Sequence, residues 1–141
     1  MSTYATPATL ALLKVPHVRK AARGNLVLVD TLKASVISHL KELLDVSDAE
    51  MSTLLGIPGR SYHRHKGSGE ALKPAQADST LRVGRVLQEA RQVFGDAAKA
   101  LRWLKAMHPV LAAAPIGLIG SDAGAQAVLD ELMRVQWGDL A

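Results

Sequence analysis

The chain has 141 residues, of which 48% are hydrophobic and 21% are charged. This length fits one domain or two small helical units, and the apolar content excludes a wholly disordered chain. No run of about 18 apolar residues is present, so no membrane-spanning helix is predicted. The absence of cysteine excludes disulfides and thiolate sites. The net charge of +4 permits nucleic acid as a partner without requiring it.

The first 30 residues form a basic N-terminal arm whose only acid is Asp30. We predict a solvated tail that contacts DNA phosphates or a partner. A transit peptide, processed near Arg23–Gly24, is the alternative. The short apolar run Leu26–Val29 is predicted either to open a buried helix or to form a small intermolecular strand. Together with the following helix, this run is the candidate dimer interface.

Residues 31–70 are predicted to form helices joined by short turns. Apolar residues at steps of three and four from Leu32 to Leu44 mark one face of an amphipathic helix. Ser47 and Glu50 form a capping box, which predicts the start of a short helix. Gly56 suits the left-handed position that ends this helix. The glycine-rich loop at residues 66–70 marks the boundary between the two halves.

Residues 71–141 carry stronger helical signals. Pro74 fits the first turn of a helix that extends to Gly95, and Asp96 is predicted to cap another that runs through Met107. One further turn is predicted to start at Pro115. A last amphipathic helix is predicted to follow the cap signal at residues 120–122 and to end before Gln136. The sequence therefore predicts an all-α protein.

Residues 47–66 have the outline of a helix-turn-helix, with a capped first helix, a four-residue turn and a polar second helix. A short helix fits the major groove, where cationic and polar side chains meet phosphates and base edges. The alternative is a helical hairpin whose basic end is only a solvated face. The candidate DNA-binding residues are Arg60, Ser61, Tyr62, His63, Arg64 and Lys66.

The remaining residues give little indication of chemistry. His63 and His65 stand two positions apart and face different sides of a helix, so no metal site is predicted. No phosphate loop, nucleophile elbow or carboxylate pair is present, and we predict neither enzymatic activity nor a cofactor. Trp137 lies close to the C-terminus, where it either packs on its own domain or anchors another protein.

An ordered series of short motifs runs through residues 72–141, and it resembles the toxin-binding domain of Xre/MbcA/ParS-like antitoxins. The segment Met51–Lys66 looks like the degenerate Xre-type helix-turn-helix of the same family. Three departures from the family pattern are His108-Pro109 instead of Asn-Pro, Ala112-Ala113-Ala114 instead of a Gly-rich turn, and Pro58-Gly59 at the start of the recognition helix. The motifs are Val93-Phe94-Gly95-Asp96, Lys99-Ala100-Leu101-Arg102-Trp103-Leu104, Pro109, Pro115-Ile116-Gly117-Leu118-Ile119, Ala123-Gly124-Ala125 and Gly138.

The resemblance implies an antitoxin of a type II toxin–antitoxin pair, whose partner is a RES-domain toxin that consumes NAD or uses it for ADP-ribosylation. It also implies a cytoplasmic homodimer that covers the toxin's NAD site with its C-terminal end and represses its own operator. Residues Arg60–Arg64 stand where recognition-helix residues would be. The tail residues that would reach the toxin are Gln136, Trp137, Gly138, Asp139, Leu140 and Ala141.

We therefore predict three parts: a basic N-terminal arm (1–30), an Xre-like helix-turn-helix domain (31–70) and a toxin-binding domain (71–141). The expected partners are the cognate toxin, operator DNA and a second copy of the chain, with no membrane and no metal. The alternative is a stand-alone helix-turn-helix transcription regulator whose C-terminal half only dimerises.

Overall fold

The computed structural model describes residues 3–15, 19–20, 27–29, 31–66 and 68–138. These residues are mostly helical, which confirms the predicted fold class, with one small sheet among them. The chain divides into two compact units, Met1–Arg85 (unit 1) and Val86–Ala141 (unit 2). The predicted domain boundaries after residues 30 and 70 stay predictions. The elements are β1 (Thr3–Ala5), α1 (Pro7–Leu12), β2 (Arg19–Lys20), β3 (Val27–Val29), α2 (Ser35–Leu44), α3 (Asp48–Leu55), α4 (Gly59–His65), α5 (Pro74–Phe94), α6 (Ala97–Lys105), a 3₁₀ turn (Pro115–Gly117) and α7 (Asp122–Gly138).

The sheet in unit 1 has the strand order β1-β3-β2, and both pairs are antiparallel. β3 is central, with Val29 opposite Thr3 in β1 and Val27 opposite Lys20 in β2. The run at 27–29 therefore opens no helix, and both of its edges are already paired within the chain. The predicted intermolecular strand is wrong for this reason, while α2 stays a predicted interface. Leu26 and the processing site at 23–24 lie outside the described residues.

The prediction of a solvated N-terminal tail is wrong for residues 3–15. Leu10 and Leu13 at the end of α1 are only 2% and 1% exposed. α1 packs so closely on α5 that a Cβ atom added to Gly84 would lie 2.8 Å from Cδ1 of Leu13. Burial of large apolar side chains stabilises each by roughly 1.5–3 kcal/mol, which outweighs the solvation of this segment's few polar groups.

The helix signals of residues 31–66 are confirmed. α2 buries Val36 and Leu40, as its periodicity predicts. The Ser47 hydroxyl accepts a hydrogen bond from the Glu50 backbone N–H at 3.1 Å, so α3 starts at the predicted capping box. The Glu50 carboxylate bonds to this same hydroxyl, at 3.1 Å, rather than to the Ser47 backbone N–H. Gly56 ends α3 in the predicted left-handed conformation, with a φ of 64°.

In unit 2, the Asp96 carboxylate caps α6 by accepting from the backbone N–H groups of Ala98 and Lys99, at 2.6 and 3.3 Å. α6 ends at Lys105, and the predicted extension through Met107 is wrong because the backbone at Ala106 turns to an extended conformation, with ψ of 145°. Met107 is consequently 72% exposed. The predicted turn after Pro115 is a single 3₁₀ turn.

α7 begins where the Ser121 hydroxyl accepts from the Gly124 N–H, at 3.0 Å, as the cap signal predicts. A Cβ atom at Gly124 would lie 1.8 Å from the carbonyl oxygen of Leu118, so only glycine fits this close approach. α7 continues to Gly138, which corrects the predicted helix end before Gln136. The residues Gln136–Gly138 therefore belong to a helix rather than to an extended tail.

Candidate nucleic-acid and partner interfaces

Helices α3 and α4 form a helix-turn-helix within unit 1. The N–H of Ile57 donates to the carbonyl oxygen of Ser52 at 3.1 Å, and the N–H of Gly56 donates to the carbonyl oxygen of Thr53 at 3.2 Å. These two bonds form a Schellman motif, and Ile57 beside it is 2% exposed. Gly59 is the first residue of α4, so the turn is one residue shorter than the four predicted.

α4 presents its two arginines and His63 on one face and buries Tyr62 and His65 on the other. Arg60, His63 and Arg64 are exposed, and their i, i+3, i+4 spacing places them together. Within the described part of the chain, neither arginine has an ion-pair partner. Tyr62 is 2% exposed and faces inward, and Ser61 is half-buried between the two faces. The structure therefore gathers three of the six predicted DNA-binding residues on one exposed face.

A carboxylate at the start of α3 holds α4 in place. Asp48 Oδ1 accepts a hydrogen bond from the Tyr62 hydroxyl at 2.9 Å, and Oδ2 accepts one from Lys66 Nζ at 2.8 Å. The bond from Lys66 and then that from Tyr62 lower the pKa of Asp48. Burial, and next the bond to the Asp48 carboxylate, raise the pKa of Tyr62. Both shifts favour an ionised carboxylate beside a neutral hydroxyl. The bonds from Tyr62 and Lys66 to Asp48, here the Asp48 clamp, are therefore intact near pH 7.

The Asp48 clamp changes how two predicted DNA-binding residues are interpreted. Tyr62 is engaged inside the helix-turn-helix, and the ammonium group of Lys66 is already paired although its side chain is 51% exposed. A lysine in an exposed ion pair gives up only a small free energy, about 0–1 kcal/mol, when it exchanges that partner for a phosphate. A phosphate bound at this position would therefore compete with Asp48 for the Lys66 ammonium group.

His65 is the second inward side chain of α4, and it is 4% exposed. Its Nδ1 lies 3.5 Å from Oε2 of Glu70, and within the described residues neither ring nitrogen has a hydrogen-bond partner. No group of three or more His, Asp or Glu residues among those described could hold a metal ion. His65 thus belongs to the packing of unit 1 and not to the cationic face.

The exposed end of α7 is the candidate partner-binding region of unit 2. Trp137 is 57% exposed and Met133, one turn earlier, is 56% exposed. The indole Nε1 donates to Met133 Sδ at 3.0 Å, so the two side chains lie together. Gln136 is exposed and Gly138 half-buried at this end. The other predicted tail residues, Asp139, Leu140 and Ala141, lie outside the described residues.

A buried carboxylate connects α7 to the loop that follows α6. Glu131 is 5% exposed, and its Oε1 lies 3.2 Å from Nε2 of His108 and also accepts from the Arg134 guanidinium. The Arg134 hydrogen bond is the largest cause that lowers the pKa of Glu131, and burial opposes it. The His108 ring packs edge-on against Trp103, with ring centroids 5.6 Å apart.

Two of the motif aromatics also pack within unit 2. The rings of Phe94 and Trp103 lie 5.7 Å apart, and both residues are half-buried. Trp103 therefore stands between Phe94 and His108 and contacts both rings. In the described part of the chain, no helix has the length and hydropathy that a membrane crossing needs.

Comparison with known families gives one match in each half of the chain. Residues 25–86 match the helix-turn-helix domain of Xre-like antitoxins, and residues 89–138 match the C-terminal toxin-binding domain of Xre/MbcA/ParS antitoxins. The chain belongs to the Xre/MbcA/ParS-like antitoxin family. A comparison with curated proteins gave no significant match. The antitoxin thus carries the cationic face of α4 in the first matched domain and the exposed end of α7 in the second.

Sequence reasoning missed the residues that hold these surfaces of the antitoxin in place. The sequence indicated Asp48 only as a member of the capping segment, because its bonds to Tyr62 and Lys66 span 14 and 18 positions. Glu131 and His108 stand 23 positions apart, and no local pattern connects them. The one available signal was the i, i+3 spacing of Glu131 and Arg134 on α7.

Proposed function

We propose that the antitoxin binds and neutralises a RES-domain toxin that consumes NAD or uses it for ADP-ribosylation. The observation that carries this proposal is the presence of an antitoxin helix-turn-helix and a toxin-binding domain side by side in one chain. The family resemblance supplies the toxin class. We propose that the antitoxin acts in the cytoplasm, where both DNA and such a toxin are found.

Neutralisation is steric in this proposal and requires no reaction by the antitoxin itself. α7 remains helical to Gly138, so Gln136 and Trp137 are held on a regular helix. Trp137 presents a large exposed ring in the last turn of this helix, and aromatic residues are frequent anchors in protein interfaces. Gln136–Ala141 occupy the cleft through which NAD enters the toxin, so that substrate and antitoxin exclude each other.

We further propose that the antitoxin represses its own operator as a homodimer. The exposed face of Arg60, His63 and Arg64 enters the major groove, where arginine pairs with guanine edges or phosphates. Ser61 and Lys66 contribute phosphate contacts at the border of this face, and Tyr62 supports it from inside through Asp48. Two copies related by a twofold axis read the two half-sites of an inverted repeat.

The test is co-expression of the antitoxin with the product of the adjacent reading frame. We expect a stable complex, and we expect NAD loss by the toxin to stop when the antitoxin is present. Deleting Gln136–Ala141 should leave the oligomeric state unchanged and restore NAD loss. A truncated chain that still protects cells would contradict the blocking role of the tail.

The alternative function is a stand-alone transcription regulator whose unit 2 only dimerises. The arginines of α4 are exposed and have no ion-pair partner among the described residues, which favours DNA binding whether or not a toxin exists. An operator-bound antitoxin with no effect on any neighbouring NAD-consuming protein would support this alternative. An adjacent RES-type reading frame would favour the antitoxin.

A further inference from the structure

The loop Met107–Ala113, here the 107–113 loop, displays two large apolar side chains to solvent. Met107 is 72% exposed and Val110 is 66% exposed, more than any other large apolar side chain in the described part of the chain. Single exposed apolar residues are ordinary on protein surfaces. Here two of them lie in one short loop.

One side chain fixes the 107–113 loop from inside. His108 Nδ1 accepts from the backbone N–H groups of Val110 and Leu111, at 3.2 and 3.4 Å. These donors place the ring proton on Nε2, which faces the Glu131 carboxylate 3.2 Å away. The His108 backbone N–H also bonds to the carbonyl of Ala113 at 3.0 Å. The loop is therefore closed at both ends and tied to α7.

The loop backbone is strained at Ala112, where φ is 54°. A residue with a Cβ atom rarely adopts this left-handed conformation, and it persists only where the surroundings impose it. Burial of Met107 and Val110 does not offset this strain, because both side chains remain exposed to water. Strained and externally fixed backbone of this kind is concentrated at ligand clamps and binding sites.

We propose that the 107–113 loop is a preformed docking element, which inserts Met107 and Val110 into an apolar pocket of the toxin. This inference rests on the proposed function and adds a second attachment point beside the C-terminal tail. The loop lies inside residues 89–138, the range matched by the toxin-binding domain. Its exposed side chains are uncharged, so they offer nothing to DNA phosphates. A loop fixed in its bound shape loses little conformational entropy on association, which favours tight binding.

The test compares full-length variants for binding to the purified RES-domain protein of the adjacent reading frame, by titration calorimetry. The double variant Met107→Ala/Val110→Ala should lose at least about 30-fold in affinity, the size expected for interface hot spots. Its melting temperature and operator binding should not change, because both side chains are exposed. The conservative variant Met107→Leu/Val110→Ile should keep the wild-type affinity, and Tyr4→Ala serves as the control, since Tyr4 is 54% exposed in unit 1.

A third variant tests whether the loop acts through its fixed shape. His108→Ala leaves both apolar side chains in place and removes the acceptor for the Val110 and Leu111 amides. We expect a roughly 10-fold loss of affinity, because a mobile loop is only partly in the binding conformation. Thermal unfolding of this variant is measured alongside, and a variant that stays folded and binds like the wild type would contradict the role of preorganisation.

The outcomes separate this inference from the proposed function. Wild-type affinity in the double alanine variant would overturn the docking loop while leaving the toxin partnership intact. Dissociation of the homodimer by the same variant, seen by light scattering with unchanged toxin affinity, would assign the loop to an interface between two copies and also overturn it. Failure of the unmodified antitoxin to bind the toxin at all would overturn the proposed function first and the loop with it.

Discussion

The exposed face of α4 and the 107–113 loop have opposite chemistry and a similar means of support. In unit 1, Asp48 holds the cationic face of α4 through Tyr62 and Lys66. In unit 2, Glu131 holds the apolar 107–113 loop through His108. Asp48 lies near the surface, whereas Glu131 is 5% exposed. A carboxylate that receives two donors thus fixes each surface, but only the one in unit 2 does so away from water.

The largest expected effect is a loss of stability in unit 2. Gly124→Ala places a Cβ atom 1.8 Å from the Leu118 carbonyl oxygen, a clash with backbone that α7 cannot avoid without shifting. We expect a loss of about 3 kcal/mol in the stability of unit 2, at the upper end for overpacking. Toxin binding should fall with it while operator binding persists, as measured by thermal unfolding and gel shift.

The control for this substitution is Gly117→Ala. A Cβ atom at Gly117 would have no neighbour within 4 Å, and this position lies in the same unit. We expect a change within about 0.5 kcal/mol. Equal effects of the two substitutions would mean that the close approach at Gly124 does not determine the stability of unit 2.

The next effect concerns the exposed end of α7. Trp137→Ala should weaken toxin binding by about 2 kcal/mol or more, the cost of losing an aromatic anchor. The protein's stability should hardly change, since Trp137 is 57% exposed. Binding is measured by calorimetry, and Gln126→Ala, an exposed residue at the other end of α7, is the matched control. A Trp137→Ala variant that neutralises the toxin normally would place the anchor elsewhere.

The cationic face of α4 gives an effect of similar size on the other partner. Arg60→Ala and Arg64→Ala should each cost about 1–3 kcal/mol if the arginine contacts a specific base. The loss should appear in gel shifts with operator DNA and leave toxin binding unchanged. Arg102→Ala removes an equal charge from an exposed position on α6 and should have little effect. Unchanged operator binding by the double arginine variant would show that α4 is not the recognition helix.

Loss of the Asp48 carboxylate should increase DNA binding, whereas loss of either arginine should decrease it. Asp48→Asn releases Lys66 and removes an anionic group beside α4. We expect tighter binding to non-specific DNA, with a steeper salt dependence, because one more cation meets the phosphates. Discrimination between operator and non-operator should fall, because Tyr62 and α4 are held less firmly. Glu42→Gln is the control, since Glu42 is an exposed acid on α2.

The smallest effect is the pH dependence of the buried carboxylate. The pKa of Glu131 is lowered in the folded antitoxin, so its ionised form stabilises the fold above its ordinary pKa of 4.5. That contribution is lost as the pH falls below this value and through the lowered pKa. Thermal unfolding of Glu131→Gln should therefore depend less on pH in this acidic range than unfolding of the wild type. Parallel curves for the two proteins would contradict the role of Glu131 as the charged link.

The sequence predicted those features that depend on neighbouring residues. The caps at Ser47, Asp96 and Ser121 are satisfied by N–H groups two or three positions away, so their signals are local and were read correctly. The exposed pair Arg60 and Arg64 followed in the same way from helical spacing. The family resemblance, and not periodicity, predicted the toxin-binding character of unit 2.

The features that the sequence did not predict depend on distant pairing. The three strands have two or three residues each, too few for an alternating pattern, and they form only because β1 and β2 meet β3. Burial of Tyr62 depends on Asp48, which lies on another helix. The end of α6 depends on the extended backbone at Ala106, and no glycine or proline stands there to indicate it.

The packing of α1 on α5 has a consequence for synthesis on the ribosome. Leu13 is synthesised about 70 residues before Gly84, against which it packs. At roughly 5–20 residues per second, α1 waits several seconds for its packing site. During that interval the apolar side chains of Leu10 and Leu13 are open to chaperones and proteases. The packing of α1 on α5 is therefore complete only after almost all of unit 1 has been synthesised.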